Sequence, residues 1–259
     1  MDFEKVYEQW KSFDGLDGYL KDELVKIEGN REEIEDRFYK TLEFGTAGLR
    51  GVLGAGTNRM NVFTVRQATA GLAEYIKKTG HTERGVVIAY DSRHFSPEFA
   101  LEAAKVLCAN NIKVYLFESL RPTPELSFSV RHLHCIAGIV ITASHNPAKY
   151  NGYKVYGEDG GQMPLDAANA VTEEIRKTDM LTGPSVMDEK EALSKGLLTY
   201  IGEDVDRKYL ESVFARRVNP EAVAEVADSF SIVYTPFHGS GNKLVQRILR
   251  MSGLKNLYV

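Results

Sequence analysis

Thirteen residues, TASHNPAKYNGYK at 142–154, place a hydroxyl, an imidazole, an Asn-Pro turn, an Asn-Gly turn and a lysine directly after the apolar run CIAGIVI. In an open α/β sheet, loops at the carboxyl ends of strands carry the reactive groups, and Ser144 falls at that position. A serine is a weak nucleophile unless a base or a charge-stabilising setting assists it. His145 and Lys154 supply proton-transferring or cationic groups close by. Further upstream EFGTAGLRG offers backbone N–H groups and Arg50. Guanidinium, ammonium and amide donors suit phosphate oxygens better than an acyl oxyanion, so the surroundings favour phosphoryl transfer. Taken alone, the tetrapeptide SHNP also reads as a plain turn, because Asn before Pro is ordinary turn chemistry. Asp91-Ser92-Arg93, at the end of another apolar run, reads equally as a flank of an active site or as a local ion pair.

The elements that position these groups follow from hydrophobic period and punctuation. Residues 1–43 carry Val6, Trp10 and Phe13, then Ile34, Phe38 and Leu42, at helical spacing, which predicts two packing helices. Five glycines between Gly45 and Gly56 argue against helix there. Residues 62–79 place Val62, Val65, Thr69, Leu72 and Ile76 on one face and stop at Gly80, as a helix should. The segment 85–117 reads strand, helix, strand, with apolar runs continuous enough for burial on both faces. CIAGIVITA adds a third strand after the helix-like PELSFSVRHL. The stretch 231–259 repeats the strand, helix, strand order, implying a second domain of related topology. Residues 179–203 read as a connection, and a helix near 204–217 is expected to open that second domain, which then has too few elements to cover its strand edges.

Composition narrows the function classes. The 259 residues hold 32 Lys and Arg against 36 Asp and Glu, a net charge of −4 without a basic block, which argues against nucleic acid as a partner. No apolar run reaches a membrane-spanning length and the N-terminus lacks signal-peptide character, so a cytoplasmic protein is expected. Cys108 and Cys135 read as free core thiols of a reducing compartment. The histidines at 81, 94, 132, 134 and 238 have no metal-site spacing. A serine hydrolase is disfavoured because no G-x-S-x-G elbow exists.

EFGTAGLRG at 43–51, YDSRHFS at 90–96, ITASHNPAKYNGYKVY at 141–156 and TPFHGSG at 235–241 together resemble the α-D-phosphohexomutase superfamily, in particular its phosphoglucomutase branch with an N-terminal helical extension. The resemblance implies a layered α/β/α domain with a mixed sheet at 44–200, preceded by a helical extension at 1–43 and followed by an incomplete second domain at 201–259. It implies that Ser144 carries the phosphoryl group as a phosphoserine, that His145 is its neighbour in the active loop, and that Lys154 and Arg50 contact the phosphoserine or the reacting oxygens. The implied reaction interconverts a hexose 1-phosphate and 6-phosphate, with glucose favoured, through a sugar bisphosphate that also serves as activator. Mg²⁺ is implied, held through the Ser144 phosphate and by aspartates of a D-x-D-x-D-R loop that this sequence lacks. EDVDR at 203–207 is its nearest string, and Asp204 and Asp206 read instead as helix-start residues. The expectation is therefore the N-terminal portion of a longer enzyme, missing C-terminal domains and inactive alone. The alternative is a sugar-phosphate-binding or regulatory module that keeps the fold.

Overall fold

The computed structural model describes residues 2–46 and 48–259. Three short helices lead the chain, α1 (Phe3–Lys11), α2 (Gly18–Lys26) and α3 (Arg31–Phe38). Their apolar faces meet in a separate cluster built around Trp10, Leu20, Leu24 and Phe38, with Trp10 and Tyr7 edge-on to Phe38. Two helices were expected here, and α2 is the one the period misses. It starts at a glycine and its Asp17 N-cap makes no side-chain hydrogen bond, so the usual start signal is weak.

The main sheet has six strands in the order β1-β5-β4-β2-β3-β6. In chain order come β1 (Gly48–Val52), helix α4 (Val62–Thr79), β2 (Val86–Tyr90), α5 (Ser96–Ala109), β3 (Val114–Phe117), α6 (Thr123–His132), β4 (Ala137–Ile141), β5 (Tyr150–Gly157), α7 (Leu165–Lys177), α8 (Glu189–Ser194) and β6 (Leu198–Ile201). Strands β4, β2, β3 and β6 run parallel, whereas β5 is antiparallel to both β4 and β1. The sheet is thus mixed. One face packs on α4, α5 and α7 through Leu72, Phe99, Leu107 and Val171. The other packs on α6 through Leu126 and Val130. This is the layered α/β/α arrangement.

Helix α4 spans the residues the sequence predicts because both ends are fixed chemically. Asn61 forms a capping box with Thr64, and Gly80 closes the helix at φ 76°. Residues 179–203, expected to be a connection, instead hold α8 and the edge strand β6. Only Leu198 of β6 is buried and α8 has six residues, so neither leaves a readable period.

Helix α9 (Glu203–Phe214) follows, then α10 (Pro220–Val226), and a second, two-stranded parallel sheet of β7 (Ser231–Val233) and β8 (Asn256–Tyr258) around α11 (Asn242–Met251). The strand–helix–strand order matches that of β2–α5–β3. Helix α9 packs against both α6 and α11, and its Val205 joins the core under the main sheet. It therefore bridges the two sheets.

Candidate active site

Ser144 lies just past β4, with its own backbone in the left-handed region at φ 58°. For a non-glycine residue that conformation costs roughly 1–3 kcal/mol and persists only when the surroundings impose it. The surroundings here do so. Asp91, at the end of β2, accepts the Thr142 hydroxyl proton at 2.6 Å, which leaves Thr142 Oγ1 free to accept the Ser144 backbone N–H at 2.9 Å. Arg93 then reaches under the loop. Its Nη2 donates to the carbonyls of Ser144 (2.8 Å) and Asn146 (2.6 Å), and its Nη1 to those of Pro147 and Tyr150 (both 3.1 Å). At roughly 0.5–1.5 kcal/mol net per hydrogen bond, these contacts together outweigh the strain. Asp91 also binds Arg93 as an ion pair at 3.4 Å and takes the Arg93 N–H and the Ser96 hydroxyl on its other oxygen. Ser96 and Asn151 continue the network into the return strand.

Arg50 and Lys154 come from the neighbouring strands. Arg50 pairs in register with Gly152, whose carbonyl accepts the Thr142 N–H, so the arginine stands level with the end of β4. Its Nη1 donates to the Asn146 side chain at 3.1 Å and so touches the Ser144 loop. Lys154 sits one pleat deeper, opposite Gly48 and Val140. It is half-buried, and its ammonium pKa falls below the ordinary lysine value, first by burial and then by the Arg50 charge, with Asp91 pulling the other way. Gly152 is required between them. A Cβ there would stand 2.6 Å from the Thr142 carbonyl oxygen and 2.8 Å from that of Leu49.

Ser144 and His145 are exposed and line a cleft of about 1180 Å³. Its opposite wall comes from the second sheet's unit, through Phe237, His238 and Lys243. The Ser92 hydroxyl donates to the His238 carbonyl, and Lys243 Nζ lies 3.5 Å from Ser119 Oγ, so the two walls touch at both ends. Arg50 and Lys154 are not part of this lining; Arg50 reaches the loop through Asn146, and Lys154 lies within the electrostatic influence of Arg50 and Asp91.

The model of the phosphoglucomutase/phosphomannomutase alpha/beta/alpha domain I matches residues 41–182, more than half of the chain. The chain belongs to this family. A phosphoglucomutase of Staphylococcus epidermidis is 40% identical over 238 residues, covering 89% of this chain and 41% of that protein. A human phosphopentomutase is 36% identical over 253 residues, covering 92% and 40%. Among solved structures, a putative phosphomannomutase from Thermus thermophilus superposes with a TM-score of 0.66 at 24% identity, over 85% of this chain and 45% of that one, a likeness of fold. The chain thus spans about two fifths of the length of the curated relatives it matches.

The family resemblance implies Mg²⁺ at Ser144, and the residues present do not fit that ion by themselves. Mg²⁺ takes about six oxygen ligands, usually including carboxylates. The carboxylate nearest the Ser144 loop, Asp91, already accepts three hydrogen bonds and an ion pair, and no group of three acidic, histidine or cysteine side chains with metal-site geometry occurs among the described residues. Asp204 stands at the exposed start of α9 as read from the sequence. Asp206 also lies in that first turn as read, and tertiary packing in addition buries it against Arg121 at 2.7 Å. Asp91, Arg93 and Thr142 are the site residues that sequence reasoning left undecided or unnamed. The strand-end position of Asp91-Ser92-Arg93 was the available signal.

Proposed function

We propose that Ser144 is the phosphoryl carrier of a phosphosugar mutase, and that the longer polypeptide interconverts hexose 1-phosphate and hexose 6-phosphate, with glucose as the first sugar to assay. The observation that carries this reading is the left-handed Ser144, held by Asp91–Thr142 and Arg93, with Arg50 and Lys154 on the neighbouring strands. A serine whose backbone is fixed in that way is presented from a set position at the strand end, which an in-line displacement needs. In the forward step a sugar hydroxyl attacks the phosphorus on Ser144, the P–Oγ bond breaks, and a sugar bisphosphate forms. Lys154, charged while the phosphate sits on Ser144, exchanges a proton as the phosphate departs: it takes the sugar hydroxyl's proton as it gives its own to Ser144 Oγ. The lowered lysine pKa supports a proton-exchanging role. Arg50 and, in its charged form, Lys154 balance the equatorial oxygens, and His145 is the second proton acceptor at the cleft. Return of the other phosphate to Ser144 completes the isomerisation.

A sugar bisphosphate is the proposed source that loads the serine. Mg²⁺ would take one oxygen from the Ser144 phosphate and its remaining ligands from outside the described residues. We also infer three units, 1–43, 44–200 and 201–259, and a reducing, cytoplasmic setting, supported by the buried free thiols of Cys108 and Cys135. No helix among the described residues is long and apolar enough to cross a membrane. The 259-residue chain alone is inferred to be inactive; the alternative reading is a non-catalytic sugar-phosphate-binding or regulatory module that retains the fold. A coupled assay separates these points. The longer polypeptide should convert glucose 1-phosphate, its Ser144→Ala form should not, and the chain alone should show no turnover. Ribose 1-phosphate is the competing substrate to assay beside glucose 1-phosphate, and unimpaired conversion by the alanine variant would refute the serine assignment.

A further inference from the structure

Glu125, in the first turn of α6, is fully buried, and neither carboxyl oxygen has a hydrogen-bond partner among the described residues. A buried carboxylate without a donor costs several kcal/mol, so this group calls for a physical account. Its surroundings supply one. Arg121, in the loop before α6, is 3% exposed and grips Asp206 of α9 bidentately, Nε to Oδ1 at 2.7 Å and Nη2 to Oδ2 at 2.9 Å. The same guanidinium is only 3.7 Å from Glu125 and is already committed to Asp206, Ser119 and Leu120. From α11, Arg247 holds Glu203 bidentately at 2.7 and 2.9 Å and reaches Asp206 Oδ2 at 3.4 Å. Two arginines therefore face three carboxylates, and Glu125 is the one left over.

Burial first, and then the Asp206 carboxylate beside it, push the Glu125 pKa up to about 8, with Arg121 and Arg247 offsetting only part. Tyr209 of α9 also faces Glu125, and its own pKa rises by burial and by that carboxylate. Glu118 lies at the rim, 3.9 Å from Arg121. With a proton on Glu125, the missing donor appears between the two carboxyl groups, and Arg121 and Arg247 are left to Asp206 and Glu203, with Glu118, Lys243 and Arg250 in the adjoining pocket.

The cluster's location gives it a consequence. Arg121 belongs to the loop that lines the cleft beside Ser144, and its backbone N–H donates to the Tyr90 carbonyl at the end of β2. Arg247 belongs to α11, directly after the Phe237–Lys243 segment that forms the opposite wall. We infer that Glu125 and Asp206, sharing one proton, form with Arg121 and Arg247 a latch that holds the α9–α11 unit and its cleft wall against the Ser144 domain, and that loss of this proton loosens the latch. Deprotonation places a second negative charge beside Asp206 in a dry site, where it competes for Arg121 and repels its neighbour. This reading stands independently of the mutase assignment.

The sign of the pH dependence follows. A carboxyl whose folded pKa is raised above its unfolded value destabilises the fold progressively as pH rises from about 4.5 to about 8, and by a constant amount above that. In the 259-residue chain, Glu125→Gln keeps a donor toward Asp206 and cannot titrate. Its urea midpoint should match that of the unsubstituted chain at about pH 5 and exceed it increasingly towards about pH 8.5. Hydrogen exchange in α9 and α11, corrected for the intrinsic rate, should accelerate about tenfold between those pH values in the unsubstituted chain and stay constant in the variant. Identical pH profiles for the two proteins would overturn the latch. Should the glutamine variant fail to fold, carboxyl-carbon NMR of the unsubstituted chain decides directly, since a Glu125 titration near the ordinary glutamate value contradicts the shared proton and one near about 8 supports it.

Discussion

The two walls of the cleft are held by opposite kinds of polar network. Around Ser144 the groups are satisfied: Asp91 is saturated with donors, and one guanidinium binds four carbonyls of a single loop. Around Glu125 the network is one donor short, and it joins α6, α9 and α11. A saturated network in low dielectric is rigid, whereas one that depends on a single proton has two states. The difference assigns fixed geometry to the serine loop and adjustable placement to the facing wall.

The largest expected effect comes from Lys154. Lys154→Met in the longer enzyme should lower kcat by about 10²–10⁴, while Lys154→Arg keeps the charge but cannot take a proton. Steady-state kinetics that find near-complete rescue by arginine would leave electrostatic clamping as the lysine's only role. Arg93→Lys comes next, because a single ammonium cannot bridge four carbonyls. It should cost about 10²-fold in kcat and speed hydrogen exchange across 143–150, with α9 and α11 unchanged. Equal loosening of both walls would dissolve the distinction between them. Thr142→Val removes the relay from Asp91 to the Ser144 N–H and should lower kcat by about tenfold with KM little altered, a split that parallel substrate titrations would detect. Smallest is Tyr19→Ala. Tyr19 of α2 stacks on Phe95 at 5.1 Å, immediately beyond the Arg93 segment, so its loss should lower the thermal midpoint by a few degrees with activity within about threefold.

Much of this arrangement was legible in the sequence where local chemistry and period agree. Helix α4 is delimited by Asn61 and Gly80, and β2–α5–β3 by apolar runs around Ser-Pro and Asn-Asn. The loop carrying Ser144 and the strand returning Lys154 were readable from two turn dipeptides. Elsewhere the signal is not local. Strand β6 exposes its central residues at a sheet edge, so its pattern carries no alternation. Arg93 acts on carbonyls more than fifty residues away, and backbone acceptors leave no trace in side-chain identity. Asp206 looked like any helix-start carboxylate, and only tertiary packing brings Arg121 and Glu125 to it.

The central claim is that Ser144 receives and donates the phosphoryl group. Incubating the chain with glucose 1,6-bisphosphate and mapping the transferred phosphate by tandem mass spectrometry tests it most directly. Phosphate on Ser144, absent from the Ser144→Ala variant and released when glucose 6-phosphate is added to the longer enzyme, is the expected result. Stoichiometric phosphate on any other residue, with Ser144 unmodified, would contradict it.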